Sequence, residues 1–194
     1  EDRAHYSKRT IDFEFDFPFG RKELYGLAYR TDYDLKQHME HSKTDLHYVD
    51  SQTGEKLIPH VIEPTFGLGR TVLAVLLSAY REDEMDGEVR IYLSFPKAIA
   101  PVKAAVFPLL KNKPELVTKA REIYMNLKKV IPQIMWDDNG NIGKRYRRQD
   151  EIGTPACITV DFDTLENDTV TVRDRDTGEQ KRVAIGELRT HLTA

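Results

Sequence analysis

The sequence predicts two units of different class. The first is α+β, with consecutive antiparallel strands followed by a helix, and the second is α/β, with strands and helices in alternation. Three observations carry this reading. Near the start, Ile11, Phe13, Phe15 and Phe17 alternate with Asp12, Glu14 and Asp16, a period of two. After about residue 90, short apolar runs alternate with helix-like segments. Between these regions, Arg81-Glu82-Asp83-Glu84-Met85-Asp86-Gly87-Glu88 is polar and acidic, which marks a boundary separating 1–84 from 90–194.

Taken in order, Thr10–Phe17 reads as an antiparallel strand with one buried face. Pro18-Phe19-Gly20 turns the chain into a partner strand over Glu23–Tyr29. A helix is predicted over Leu35–His41. A strand–turn–strand follows from Leu46–Asp50, Ser51–Glu55 and Lys56–Glu63. Thr71–Tyr80 is apolar on nearly every side, as a helix buried against a sheet requires.

In the second unit Val102–Phe107 reads as a strand closed by Pro108. Pro114–Val130 is an amphipathic helix with Leu116, Ala120, Ile123, Tyr124 and Leu127 on one face. Its Pro stands where a missing N–H costs least. Ile131–Trp136 is the next strand, Asn141–Glu151 the next helix and Ala156–Phe162 the third strand. Thr169–Arg173 and Arg182–Ile185 form a hairpin around Asp176-Thr177-Gly178, and a last helix begins at Ile185. This alternation implies right-handed crossovers and a mostly parallel, mixed sheet with flanking helices.

Composition narrows the function. The 194 residues carry 29 Lys+Arg against 32 Asp+Glu, a formal net charge of -3, which excludes a polybasic tail mechanism but leaves room for a local basic patch. A single cysteine, Cys157, excludes a disulfide framework or a thiolate zinc cluster and suits a reducing compartment. The longest apolar run, Val72–Ala79, falls short of the roughly 20 residues of a membrane helix, and the first residues lack the pattern of a signal peptide. These features predict a soluble, cytoplasmic chain without a membrane partner. Opening at Glu1 without Met, it reads as a piece of something longer.

Three clusters could carry chemistry. Ile62-Glu63-Pro64-Thr65-Phe66-Gly67-Leu68-Gly69-Arg70 runs from a strand into the apolar helix. Arg70 then lies in the first helical turn, where the macrodipole disfavours a cation unless an anion joins it. A phosphate would meet both the helix start and the guanidinium; the other reading is a solvated arginine after a glycine turn. Tyr29-Arg30-Thr31-Asp32-Tyr33-Asp34 alternates charges at a strand end. It suits either a zwitterionic substrate or a metal-bound triphosphate, or else a surface ion-pair network. Gly143-Lys144-Arg145-Tyr146-Arg147-Arg148 combines four cations with an aromatic ring, as phosphate contacts and base stacking require, or as a solvated helix face would show. His38 and His41 share a helical face without a third ligand, and no metal is assigned to them.

Several of these segments strongly resemble glycyl-tRNA synthetase of the homodimeric type, a class II aminoacyl-tRNA synthetase. They are His5-Tyr6-Ser7, Glu23 to Leu35, Val61 to Arg70, Ala100-Pro101-Val102-Lys103, Gly143 to Pro155 and Val170 to Asp176. The resemblance covers the chain in order and identifies it as a C-terminal portion. It implies the end of a class II antiparallel-sheet catalytic domain over 1–84, with Gly67–Arg70 in the third signature motif. Residues 90–194 are then a class IIa anticodon-binding domain. The reaction implied is ATP-dependent activation of glycine to glycyl-adenylate and transfer to the 3′ end of tRNA(Gly), with Mg2+, by a homodimer when complete.

By the same resemblance, Arg70 holds the γ-phosphate of ATP, with Gly67 and Gly69 beside it, and Glu23 serves the magnesium–ATP side. Arg30 contacts the amino acid carboxylate, Glu63 orders the pocket floor and Thr65 contacts glycine, where the family commonly has Ser. Lys144, Arg145, Tyr146, Arg147 and Arg148 are the implied tRNA-binding residues. The first two signature motifs have no counterpart here, so the chain alone is expected to be inactive. A non-catalytic RNA-binding or accessory protein that keeps the synthetase fold is the alternative. Arg70, Arg30 and Glu23 favour the enzyme, because a binding module has no use for a triphosphate site.

Overall fold

The computed structural model describes residues 5–85 and 87–193, and in it the alternating N-terminal segment forms β1 (Arg9–Phe17). A turn at Pro18 and Phe19 leads into β2 (Gly20–Thr31), paired antiparallel with β1; Gly20 takes φ +105°, a conformation that L side chains rarely adopt. Helix α1 (Tyr33–Ser42) follows, then a hairpin of two-residue strands, β3 (Tyr48–Val49) and β4 (Lys56–Leu57). Strand β5 (Val61–Phe66) pairs antiparallel with β2, giving a sheet of order β1-β2-β5, and α2 (Leu68–Ala79) comes next. The predicted strand Lys56–Glu63 is therefore divided. Its start pairs in the small hairpin and its end enters the main sheet, with Ile58, Pro59 and His60 between.

Two expectations for this unit are corrected. The apolar face of β1 is not uniformly buried, since Phe17 is at 5% but Phe13 is 53% exposed. The apolar helix is not enclosed either; Leu68 is 79% and Val72 52% exposed. The described sheet has three strands, and Ile11, Phe13, Ile62 and Phe66 on one face keep large exposed areas.

The chain divides into Glu1–Leu77 and Ser78–Ala194, earlier than the acidic stretch. That stretch is not a linker. It forms the hairpin β6 (Tyr80–Met85) and β7 (Glu88–Leu93), with Gly87 at φ +78° in its turn. Its acidity has a structural cause: Asp83 accepts from Arg90 Nε at 2.8 Å, and Arg90 reaches inward from β7 to Asp150.

The remainder builds β8 (Ala104–Pro108), α3 (Pro114–Val130), β9 (Ile134–Trp136), α4 (Ile142–Glu151) and β10 (Ala156–Val160). Then come α5 (Phe162–Asn167), β11 (Thr169–Asp174), β12 (Gln180–Ala184), a 3-10 turn at Ile185–Glu187 and α6 (Leu188–Thr193). The sheet order is β12-β11-β10-β8-β9; β8 pairs parallel with β9 and β10, and β10–β11 and β11–β12 are antiparallel. The chain steps from β8 outward to β9 and then back across β8 to β10. Right-handed crossovers in opposite directions must lie on opposite faces. Accordingly, Ala120, Ile123 and Leu127 of α3 pack with Val106, Ile158 and Val172 on one face. Ile142 and Tyr146 of α4 pack with Ala105, Phe107 and Cys157 on the other, where burial pushes the Cys157 thiol up.

Helix α3 occupies the predicted residues, with Glu115 in its first turn and Lys128 and Lys129 in its last, both favourable to the macrodipole. Helix α5 stands where the third strand was expected to continue. Asp161 and Thr164 form a reciprocal capping box that ends β10 at Val160.

Candidate functional site

The site in the first unit begins with an irregularity in β2. The register with β1 runs Phe13↔Tyr25 and then Glu14↔Glu23, leaving Leu24 as the extra residue of a bulge. Alternation alone would put Glu23 and Gly26 on opposite faces. The bulge brings them together: a Cβ built on Gly26 would lie 3.1 Å from Glu23 Oε1 and 3.9 Å from Thr65 Cβ. Gly26 faces Thr65 and Ala28 faces Glu63 across the β2–β5 pair. Glu23, Glu63, Thr65 and Arg30 thus share the polar face over two small residues, Gly26 and Ala28.

Arg30 anchors this face. Its Nε and Nη2 donate to Asp34 at 2.6 and 2.7 Å, and Nη1 donates to Glu63 Oε2 at 2.6 Å. The Tyr6 ring lies 3.9 Å from the guanidinium carbon. Hydrogen bonding from Arg30 holds the Asp34 carboxyl below its ordinary range, and the same carboxylate raises Arg30 further. Three of the five guanidinium N–H groups are thereby engaged, leaving two for another acceptor. Thr65 Oγ1 stands 3.5 Å from Glu63 Oε1, at the outer limit of a hydrogen bond.

The bulge also positions the start of α2. Gly67 N donates to Leu24 O at 3.4 Å, and a Cβ on Gly67 would come within 3.3 Å of the same oxygen. Gly67 therefore serves a close backbone approach, whereas Gly69 has open space around it. Arg70, in the first turn, donates from Nη1 to the Glu23 carbonyl oxygen. One end of the site is thus Arg70 beside Glu23, and the other is Arg30 between Asp34 and Glu63. Asp34 belongs to the charged cluster that the sequence singles out, whereas Tyr6, Gly26 and Ala28 carry no sequence signal of a site role. His38 and His41 are both exposed, and among the described residues no group of three His, Cys, Asp or Glu is placed to hold a metal.

The basic segment of the second unit forms α4, capped by Asn141, whose side chain accepts from Lys144 N at 2.9 Å. Its residues diverge. Arg145 is 1% exposed and donates to the carbonyl oxygens of Pro108, Asp138 and Gly140, with desolvation drawing its pKa down. Tyr146 lies against Phe107, and its hydroxyl pairs with Thr159 Oγ1 at 2.7 Å. For Arg145, placement in an exposed RNA-facing patch is corrected: the helix buries one face on the sheet, and Arg145 is on it, whereas Tyr146 is half-buried there and also lines the groove beside the helix. Arg148 is partly exposed and tied to Asp137 Oδ2 at 2.6 Å, bracing the turn before the helix. Lys144 and Arg147 face outward, on an open groove of about 790 Å³ that also includes Asn141, Thr177 and Gln180.

Beneath the groove is a buried ionic network. Asp150, 1% exposed, accepts from Arg173 at 2.8 and 3.0 Å and from Arg90 at 3.2 Å. Arg175 donates to Gly153 O at 2.9 Å and Phe95 O at 3.0 Å. Gly153 holds φ +81°, and a Cβ there would fall 2.4 Å from the Phe95 ring. It is a packing requirement as well as a helix end.

Comparison with known proteins joins these observations. Residues 103–194 match the family described as the anticodon binding domain. The chain is 54% identical over 192 residues to a glycine–tRNA ligase of Caldanaerobacter subterraneus subsp. tengcongensis, covering 99% of this chain and 41% of that protein. Glycine–tRNA ligases of Clostridium acetobutylicum and Geobacillus thermodenitrificans are each 54% identical over 193 residues, with the same shares covered. Over nearly its whole length the chain matches a part of these glycine–tRNA ligases. It corresponds to a C-terminal portion, spanning about 41% of the length of those ligases, and includes the anticodon-binding domain of a class II synthetase. In this synthetase portion the mixed sheet and its flanking helices are that domain. Among the described residues no helix is long and apolar enough to cross a membrane.

Proposed function

We propose that the whole protein is a glycine–tRNA ligase, to which this chain contributes one wall of the aminoacyl-adenylate site and the RNA-binding unit. The observation that carries the reading is the continuous polar face from Arg70 and Glu23 through Thr65 and Glu63 to Arg30. A zwitterion with no side chain fits such a face. Its ammonium has Glu63 and the Thr65 hydroxyl within reach, and its carboxylate has the remaining N–H groups of Arg30. Thr65 and Glu23 crowd the space over Gly26, which disfavours larger amino acids by clash.

At the other end Arg70 supplies a cation for the γ-phosphate of ATP. Glu23 has an exposed carboxylate with no side-chain partner among the described residues, an oxygen donor of the kind Mg2+ accepts alongside phosphates and water. Glu23 would hold the ion, which supplies charge neutralisation on the triphosphate. Residues 1–84 are on this reading the end of the catalytic domain, and residues 90–194 act on tRNA(Gly) through Lys144 and Arg147. A cytoplasmic homodimer is the proposed complete enzyme. In the full-length protein, Arg70→Ala should lower glycine-dependent ATP–pyrophosphate exchange by about 10²–10³-fold, the scale for losing one charge-stabilising donor. Undiminished exchange would remove Arg70 from the site.

A further inference from the structure

On β11 and β12, Arg173 and Gln180 face the groove of α4, whereas Val172, Asp174, Glu179 and Lys181 face the other way. On that opposite side they close a pocket of about 240 Å³ with Lys97, Lys103, Pro155, Ala156, His191 and Leu192, and Thr177 in the hairpin turn lines both the pocket and the groove. Its basic groups arrive from three places: the 97–103 segment, β12 and α6. The side chains of Lys97 and His191 make no hydrogen bond or ion pair among the described residues. The Lys103 ammonium donates to the carbonyl oxygens of Lys97 and Ala98 at 2.6 and 2.9 Å, which fixes its position and leaves one N–H.

The two acids in the wall do not match this set. Asp174 Oδ1 already accepts from Asp176 N, Thr177 N and Thr177 Oγ1, within the hairpin turn. Glu179 stands 3.5 Å from Lys181 on the rim. Pro155, Ala156, Val172 and Leu192 supply apolar walls, against which a charge interaction is stronger than in open water.

We propose that this pocket binds a phosphate group, at a site separate from the groove of α4. Point-charge ammonium donors from several directions suit a tetrahedral anion with acceptors all round. A planar carboxylate is better matched by the fork of an arginine, and none lines the pocket. The phosphate belongs either to a free small molecule or to an RNA backbone.

The test is residue-resolved NMR of the 194-residue chain titrated with pyrophosphate at constant ionic strength. Saturable shifts are expected at the His191 ring and the Lys97 amide, without shifts at Lys144. Lys97→Gln with Lys181→Gln should weaken binding by about tenfold or more. Lys144→Gln with Arg147→Gln should leave it unchanged, which separates this site from the RNA reading. Displacement of pyrophosphate by an anticodon stem-loop assigns the site to RNA backbone, and simultaneous binding assigns it to a free anion. Absence of saturable shifts, or equal affinity in the Lys97/Lys181 double variant, overturns the proposal.

Discussion

Replacing Asp150 by alanine is expected to destabilise the anticodon-binding unit more than any change on its surface. The side chain is buried, accepts two bonds from Arg173 and one from Arg90, and both guanidinium groups have side chains only 7% exposed. Removing the carboxylate leaves Arg173 without its charged partner in a site water barely reaches. Loss of one member of a buried pair costs about 3–5 kcal/mol. Arg90 keeps Asp83 and the carbonyl oxygens of Arg175 and Asp176, so the lower end of that range, about 3 kcal/mol, applies. For a unit of this size that is a fall in Tm of about 10–15 °C. Urea denaturation followed by the fluorescence of Trp136, the sole tryptophan, measures it. The double variant Asp150→Ala with Arg173→Met should recover part of the loss, because it removes the stranded charge. A loss below about 1 kcal/mol, or a double variant no better than the single one, would refute the buried-pair argument.

Gly153→Ala should also destabilise this unit, because the new methyl would stand 2.4 Å from the Phe95 ring and 2.8 Å from Leu93 O in a backbone of positive φ. Ordinary stability of that variant in the same denaturation would show that the loop relaxes freely. On the proposed reading, Thr65→Ser in the full-length protein should keep glycine activation and Thr65→Ala should lower it, since only the second deletes the hydroxyl near Glu63. Equal pyrophosphate exchange by the two variants would count against a glycine contact.

Regularity made parts of this protein legible and long-range pairing hid the rest. Helix α3 could be placed from Leu116, Ala120, Ile123 and Leu127 alone, because their spacing repeats with the helix. The β6–β7 hairpin could not, because its acidic residues look like a linker until Asp83 meets Arg90 and Arg90 meets Asp150, 60 residues away. The resemblance implies Arg145 as an RNA contact, one of four cations in six residues. Its real partners are backbone carbonyl oxygens, which no sequence pattern records. The bulge at Leu24 was equally hidden, although it sets Glu23 beside Gly26 and Thr65. Residue pattern singled out Arg70 and the cluster around Arg30, and the resemblance gave roles to Glu23, Glu63 and Thr65; their placement on one face came from the structure.

Binding of tRNA(Gly) to the 194-residue chain, measured across salt concentrations, tests the RNA reading most directly. Affinity should fall as salt rises. Lys144→Gln with Arg147→Gln should weaken binding and flatten the logarithmic salt slope by about one to two units, for two lost phosphate contacts. A tRNA with a changed anticodon should bind the unaltered chain less tightly than tRNA(Gly). Equal binding of both tRNAs, together with an unchanged slope in the double variant, would contradict an anticodon-binding role for this groove.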